Sequence, residues 1–336
     1  MALLIYLIWT LEIIQPGTPW QVPFEVHKTG LGPSGKSVFA SEKTIYLYSS
    51  SGQLLNEFDS GESVEGLWID NHDSIWVLSS GQLRVFTSRG RLIDAVEVLP
   101  QTLGPFFMQN SPILVNEMGI TLFQLNHREP LSGKAPSIFQ ITLNLEDLYS
   151  VNTSGREVLI CKQNNHHLLW YPIEGASYPF QTLRQQKTRF FSSSLKHSKA
   201  LVYEDGVLEV QTPKHRWKRS FTLDTLLAPV WLQHDKKEVL AFVAEDRVFR
   251  VFGANGVERE RKLLNHRPLH LLNLDAHRVI LTMYQSRDIL IYDFSADAFF
   301  EETLEATVID IVRNGHYLLL LNKEGHIRLL NLKTKP

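Results

Sequence analysis

The chain has 336 residues, 43% of them hydrophobic, 10% aromatic and 21% charged, with 34 basic side chains set against 36 acidic ones. This composition excludes a disordered chain, a collagen-like or coiled-coil fibre and a small disulfide-stapled scaffold. The near-neutral charge argues against a generic nucleic-acid binder, and a single cysteine, Cys161, permits neither an intramolecular disulfide nor a thiolate metal cluster.

Met1 to Ile14 is almost wholly apolar, and Gln15-Pro-Gly-Thr-Pro19 breaks the run. A membrane-spanning helix needs about 20 apolar residues, so the run is short for an anchor, and its length suits the apolar region of a secretory signal. Residues 1–19 therefore read as a signal-like segment ahead of a single domain over 20–336. Export, to a periplasm or out of the cell, is expected over a cytoplasmic location, and this segment is the one route to a membrane. Three features favour an extra buried strand or helix instead: no Lys or Arg precedes the run, no A-x-A-like site follows it, and Glu12 lies within it.

Beyond the leader the chain repeats itself. Ile45-Tyr-Leu-Tyr-Ser-Ser-Ser-Gly-Gln-Leu-Leu-Asn-Glu-Phe58 is an apolar strand, a small polar turn and a second strand. The same order returns at Leu83–Ile93, Val248–Val257 and Ile289–Ala298, each a period-two apolar run broken by Gly, Asn, Asp or Ser. Ahead of these hairpins lie shorter, more continuous apolar runs: Ser37–Ala40, Ser74–Leu78, Pro112–Val115, Glu157–Cys161, Ala200–Tyr203, Glu238–Val243, Arg278–Thr282 and Tyr317–Leu321. They recur at about 40 residues, the spacing of four-stranded propeller blades. Few windows sustain a helical stripe for three turns, and turn residues break the pattern every 8–12 positions, so the reading is all-β. Eight copies predict an eight-bladed β-propeller, with seven blades as the alternative. The last copy supplies strands near Val308–Val312, Tyr317–Leu321 and Ile327–Leu332 and lacks a fourth; Trp20–Val26 is expected to fill that place and join the two ends of the chain. Pro23 then belongs on the outer edge, where its missing donor does no harm.

Motifs for chemistry are sparse. His166-His167 is the one adjacent histidine pair, follows Asn164-Asn165 and reads as a turn, because neighbours on a strand point to opposite faces. His215, His234, His266, His270, His277, His316 and His326 read as solvated residues at strand ends or turns. No G-x-S-x-G, H-E-x-x-H or P-loop occurs. Cys161, in a strongly apolar strand, reads as an inert core thiol. Asn152-Thr-Ser154 satisfies the glycosylation triplet. No metal and no cofactor is expected.

Charge is distributed more tellingly. Glu57, Asp59, Glu62, Glu65, Asp70 and Asp73 follow one another with no intervening cation, whereas Arg184, Lys187, Arg189, Lys196, Lys199, Lys214, Arg216, Lys218 and Arg219 form a basic stretch. In an eight-bladed ring these would give an acidic and a basic side able to orient a partner. The sharpest element is Lys214-His-Arg-Trp-Lys-Arg219. Lys214, Arg216, Trp217, Lys218 and Arg219 are the candidate partner-binding residues. The competing reading is a solvated edge strand whose charges prevent sheet-to-sheet aggregation.

Asp73-Ser-Ile-Trp-Val-Leu-Ser-Ser-Gly-Gln-Leu-Arg-Val-Phe-Thr-Ser-Arg-Gly-Arg-Leu-Ile93 resembles an NHL-type propeller blade. The overall layout is similar to WD40-like and to BamB-like, quinoprotein-related propellers of outer-membrane assembly. The chain departs from them in having no Trp-Asp dipeptide, no Gly-His signature and no recurring tryptophan docking motif, so quinone chemistry does not carry over. The resemblance implies a rigid interaction scaffold, since fold alone fixes no function.

The leading expectation is thus a non-catalytic, monomeric propeller that binds a protein within a larger complex, in a cell-envelope assembly. One alternative is an enzyme or small-ligand binder at a mouth of the central channel, with Asp70, His72, His166 and Arg287 as first candidates. Another is the N-terminal propeller of intracellular trafficking machinery, against which the lack of a helical extension after Asn331 counts.

Overall fold

The computed structural model describes residues 15–16, 20–98, 103–108, 111–116, 119–126, 137–145, 148–154, 157–164, 166–172, 174–182, 186–221, 227–235, 237–244 and 247–331. Every regular element among them is a β-strand. The strands form eight antiparallel meanders in chain order, the blades of a β-propeller.

Blade A is built from Lys28–Leu31, Ser37–Ser41, Thr44–Tyr48 and Leu54–Asp59, and blade B from Gly66–Ile69, Ile75–Ser79, Gln82–Phe86 and Leu92–Glu97. Blade C comprises Leu103–Met108, Ser111–Asn116, Gly119–Asn126 and Ser137–Asn144; blade D comprises Leu148–Ser154, Glu157–Lys162, His167–Tyr171 and Ala176–Phe180. Blade E holds Thr188–Ser193, Lys199–Tyr203, Val207–Gln211 and Arg216–Ser220, and blade F holds Val230–His234, Lys237–Val243, Val248–Gly253 and Glu258–Leu263. Blade G is Pro268–Asn273, Arg278–Met283, Asp288–Asp293 and Ala298–Thr303. Blade H has three strands of its own, Val308–Asn314, Tyr317–Asn322 and His326–Asn331.

The eight continuous apolar runs of the sequence are the second strands of the eight blades. A second strand has a strand on each side and is covered on both faces, so its whole length is apolar. Ile75–Ser79, Lys199–Tyr203 and Arg278–Met283 are buried at every position. Fourth strands are sheet edges and read differently: Leu54–Asp59 and Glu258–Leu263 alternate exposed and half-buried residues. Their charges keep the edges from recruiting another strand.

Blade H is completed from the front of the chain. Trp20 and Gln21 pair with Ile327 and His326, and Gln15 and Pro16 pair with Asn331 and Leu330. The fourth strand is therefore two short pieces rather than one continuous Trp20–Val26 strand. The Val22 N–H donates to the Gly325 carbonyl at 3.1 Å, after which the chain leaves the edge. Pro23 lies just beyond the ladder, where no donor is needed.

The described residues fall into two compact units, one within Met1–Pro105, Phe123–Gln140 and Val308–Pro336, the other within Phe106–Leu122 and Ile141–Thr307. In the first unit, Val38, Ala40, Ile45 and Leu47 of blade A pack on Leu67, Ile69, Ile75 and Val77 of blade B. Phe39 and Tyr48 of blade A join Leu319, Leu321, Ile327 and Leu329 of blade H. In the second unit, Ala200, Val202, Leu208 and Val210 of blade E meet Trp231, Leu240, Phe242 and Phe252 of blade F. Leu232, Ala241 and Val251 of blade F pack with Leu271, Val279, Leu281 and Tyr292 of blade G. At about 25 cal/mol per Å² of apolar surface removed from water, these seams supply the main folding force.

One seam device recurs. An aromatic side chain on an edge strand lies against a glycine in the turn between the third and fourth strands of the next blade. Trp20 lies on Gly52, Phe58 on Gly90 and Trp217 on Gly256. A Cβ at Gly256 would sit 2.9 Å from Cδ2 of Trp217, and one at Gly90 would sit 2.8 Å from Cγ of Phe58. Both glycines also hold a left-handed backbone, φ +80° and +74°, which a side chain disfavours. Gly90→Ala and Gly256→Ala should each lower stability by about 1–3 kcal/mol through this strain and the blocked ring, read as a lower midpoint in urea denaturation. An unchanged midpoint would mean the aromatic–glycine contact carries no weight.

Candidate interaction surface on blade E

The strand Arg216–Ser220 is the exposed edge of blade E, and its register fixes what each side chain meets. Arg216 opposes Gln211, Trp217 opposes Val210, Lys218 opposes Glu209 and Arg219 opposes Leu208. Side chains alternate across a strand, so Arg216 and Lys218 share one face while Trp217 and Arg219 share the other. The basic residues of this strand are thus divided between two faces rather than gathered on one.

Arg216 is held by a carboxylate inside the blade. Glu209 has no exposed surface, and a buried charge persists only where hydrogen bonds and an opposite charge replace its water. Tyr203 Oη donates to Glu209 Oε2 at 2.6 Å, and Gln211 Nε2 donates to Oε1 at 2.6 Å. Arg216 Nη2 donates to the same Oε1 at 3.0 Å and to the Gln181 carbonyl of blade D at 3.0 Å. The guanidinium thus neutralises a core carboxylate and ties blade E to blade D.

The opposite face turns to blade F. Trp217 Nε1 donates to the Ala254 carbonyl at 3.1 Å, and its ring lies 5.5 Å from that of Phe252. Arg219 pairs with Glu258 at 3.3 Å, donates to the Gly256 carbonyl at 3.0 Å and stacks over Phe252 at 4.9 Å. The next edge repeats the pattern, with Lys262 of blade F pairing with Glu301 of blade G at 2.5 Å and lying over Phe299 at 5.1 Å.

Much of the basic stretch is consumed in this way. Lys187 pairs with Glu204 at 2.9 Å. Lys199 and Glu157, both almost fully buried, pair at 2.6 Å across blades D and E, and Tyr171 Oη donates to the same carboxylate at 3.0 Å. Arg189 lies over Phe190 at 5.5 Å, and Arg184 lies outside the described residues. Lys196, Lys214 and Lys218 remain with no ion-pair partner among the described residues, and Lys214 and Lys218 are exposed. Of the five candidate residues, then, Lys214 and Lys218 are exposed with no ion-pair partner among the described residues, while Arg216, Trp217 and Arg219 hold the strand in place.

The acidic stretch is treated similarly. Asp59 pairs with Lys43 at 3.3 Å and Asp73 with Lys36 at 2.6 Å. Asp70 Oδ1 accepts the backbone N–H groups of His72 and Ser74 at 2.8 and 2.9 Å, and Oδ2 accepts the Trp76 indole N–H at 2.9 Å. Its carboxylate is buried and accepts three hydrogen bonds that close the turn and hold the Trp76 indole. Asp70 and His72 sit in the turn from first to second strand; His166 and Arg287 sit in turns from second to third strand, at the other end of their blades.

His167 opens a strand and is buried, with Nε2 3.1 Å from Thr188 Oγ1, whereas His166 is exposed. His215, His266 and His316 are solvated turn residues as expected. His270, His234 and His277 are not: His270 Nδ1 lies 2.9 Å from Thr282 Oγ1, and the rings of His234 and His277 meet edge to face at 5.0 Å. Among the described residues no three His, Cys, Asp or Glu side chains are grouped to hold a metal ion, and no helix is long and apolar enough to cross a membrane. Burial pushes the Cys161 thiol above its usual range. Asn152 lies half-buried on the first strand of blade D and donates to the Thr188 carbonyl at 3.2 Å, so its amide is not presented for glycosylation in the folded chain.

No family model matches the chain, and no curated protein matches it either. Solved structures do. BamB from Moraxella catarrhalis is similar over 95% of this chain and 99% of that one, with a TM-score of 0.62 at 11% identity. Sqt1 from Saccharomyces cerevisiae is similar over 94% and 98%, with a TM-score of 0.67 at 11% identity. The fold is a β-propeller. A third propeller relative in shape, BBS1N in complex with ARL6DN, aligns over 96% of this chain and 98% of that one, with a TM-score of 0.52 at 10% identity.

Two outcomes follow from the propeller's buried charges. Arg216→Ala takes the guanidinium away from the buried Glu209 carboxylate and should cost on the order of 2–3 kcal/mol, below the about 3–5 of a fully enclosed pair because Arg216 is partly solvated; Lys218→Ala should change stability by less than about 0.5 kcal/mol. Urea denaturation of the two variants distinguishes a frame residue from a free one. Burial, then the Glu157 hydrogen bond and charge, pushes the Tyr171 hydroxyl up to about 12. A raised hydroxyl favours the fold below the ordinary tyrosine range near 10 and loses that contribution as pH climbs to about 12. Absorbance titration of wild type against Tyr171→Phe should place the missing step there, and a step near 10 would contradict it.

Proposed function

We propose that the chain is a non-catalytic interaction scaffold whose partner docks on the edge and turn of blade E. The observation that carries the reading is the division of labour in Lys214–Arg219. Two cations and an indole are spent on neighbouring blades, and two lysines are left exposed on a strand those contacts make rigid. A pre-ordered surface loses little entropy on binding, and unpaired charges at a rim steer and select a partner more than they stabilise the fold.

Likeness in fold to propellers solved in complexes, such as BBS1N with ARL6DN, supports a protein partner. A setting in a cell-envelope assembly rests on the similarity of layout to BamB and on the apolar residues ahead of the propeller. Residues 20–336 act in this reading as one domain.

The scaffold reading is tested by affinity capture from the native source with wild type and with Lys214→Glu/Lys218→Glu. Captured protein should drop about fivefold or more at low salt, where rim charges are least screened, with the urea midpoint unchanged. Equal capture by both would remove these lysines from the interface.

A further inference from the structure

Blade E turns twice at one end. Ser193 pairs with Lys199, Lys199 with Gln211, and Gln211 with Arg216, so these four positions line up across the blade. The turn at 194–198 and the turn at 212–215 both project beyond that line. The first is a fixed turn: Ser194 Oγ accepts the backbone N–H groups of Lys196 and Ser198, both at 3.1 Å, and the Ser194 N–H donates to the Ser198 carbonyl at 2.9 Å. At its tip Leu195 is 94% exposed, beyond the 69% of Leu263, the next most exposed large apolar side chain among the described residues. The second turn is closed by Thr212 Oγ1, which accepts the His215 N–H at 2.9 Å.

Leu195, Lys196, His197, Lys214 and His215 therefore share one end of the blade, and Lys218 lies on the edge strand that runs from it. The carboxylates of this blade lie elsewhere. Glu204 and Asp205 belong to the turn at the opposite end, and Glu209 is sealed in the core. Two carboxylates of blade F stand near this end: exposed Asp235 faces His234 at 3.5 Å, and half-buried Glu238 accepts the Ser198 hydroxyl at 2.5 Å. This end carries three lysines and one protruding leucine on two turns closed by their own hydrogen bonds.

We propose that this end of blade E docks an acidic protein segment that places an apolar side chain against Leu195. The inference rests on the scaffold reading above and names the chemistry of the partner. Charge complementarity selects carboxylates. Phosphate recognition favours guanidinium forks, and single-stranded nucleic acid needs free aromatic faces. Here Arg216 and Arg219 are engaged by Glu209 and Glu258, and Trp217 lies against Gly256 and Phe252. Anionic lipid surfaces are read by clusters of about four to eight basic residues, more than the three unpaired lysines of this end. The two turns join the first strand to the second and the third to the fourth, so at about 4.8 Å per strand they lie about 10 Å apart, a span that about three extended residues cover.

The test uses the intact chain and a fluorescein-labelled peptide of Glu and Asp with a central Leu. Comparison probes are the same peptide with Leu→Ser, a peptide with Lys in place of the acids, a thymidine oligonucleotide, and vesicles of phosphatidylcholine with phosphatidylserine. The acidic Leu peptide should bind best, and its binding should weaken as salt shortens the range of the charges. Lys196→Glu/Lys214→Glu/Lys218→Glu should weaken it about tenfold or more. Leu195→Ser should weaken the Leu peptide about threefold or more and leave the Ser peptide unchanged. Equal binding of acidic and basic peptides, indifference to both variants, or preference for the oligonucleotide or the vesicles would overturn the inference. A native partner still captured by both variants would sink this surface and leave the scaffold reading standing; capture of no protein at all by wild type would sink the scaffold reading itself.

Discussion

The seam between adjacent blades is the constraint on which the rest of the structure depends. A lone four-stranded meander exposes two apolar faces, and each blade buries its own only by lying against the next. Second strands such as Ile75–Ser79 and Lys199–Tyr203 are buried along their whole length for that reason. The seams are also where the turn chemistry is most exacting: Phe58 and Trp217 reach the following blade only because Gly90 and Gly256 carry no side chain.

The same seams decide which charges are available. Glu209, with no exposed surface, requires Tyr203, Gln211 and Arg216 around it. Glu157 requires Lys199 and Tyr171. Once these demands are met, a long basic stretch is reduced to a few unpaired lysines on blade E. Desolvation makes an unpaired buried charge far more costly than an unpaired surface one, so the core is satisfied first and the surface keeps the remainder. The resulting surface is sparse, with Lys196, Lys214 and Lys218 left without an ion-pair partner among the described residues.

Much of the fold was legible in the residues. The eight continuous apolar runs are the eight second strands, and the joining of the chain's front to its last blade was expected from the missing fourth strand. The detail of that join was less legible: Trp20 and Gln21 pair as expected, Gln15 and Pro16 add a second short piece, and Phe24 to Val26 do not pair. A two-residue pairing has no periodicity to read. The site was legible as a location but not as a set of roles. Lys214-His-Arg-Trp-Lys-Arg219 stands out by composition, yet Arg216 and Lys218 look alike in sequence, and only the position of Glu209 across the ladder separates them. Leu195 carried no signal, since a leucine among serines in a turn has the same sequence appearance whether covered or bare.

What the sequence determined by itself is local and repetitive: strand after strand, turn after turn, at a spacing that admits few architectures, because backbone pleat and turn stereochemistry are written within a few residues. What only the tertiary structure decided is the assignment of individual charges and aromatics. Arg219 meets Glu258, 39 residues away, and Asp70 meets Trp76, six residues on along the next strand. Sequence distance does not tell these apart, since the partner of a side chain is set by which blade lies beside it and by the cost of leaving a charge or a polar group buried without one.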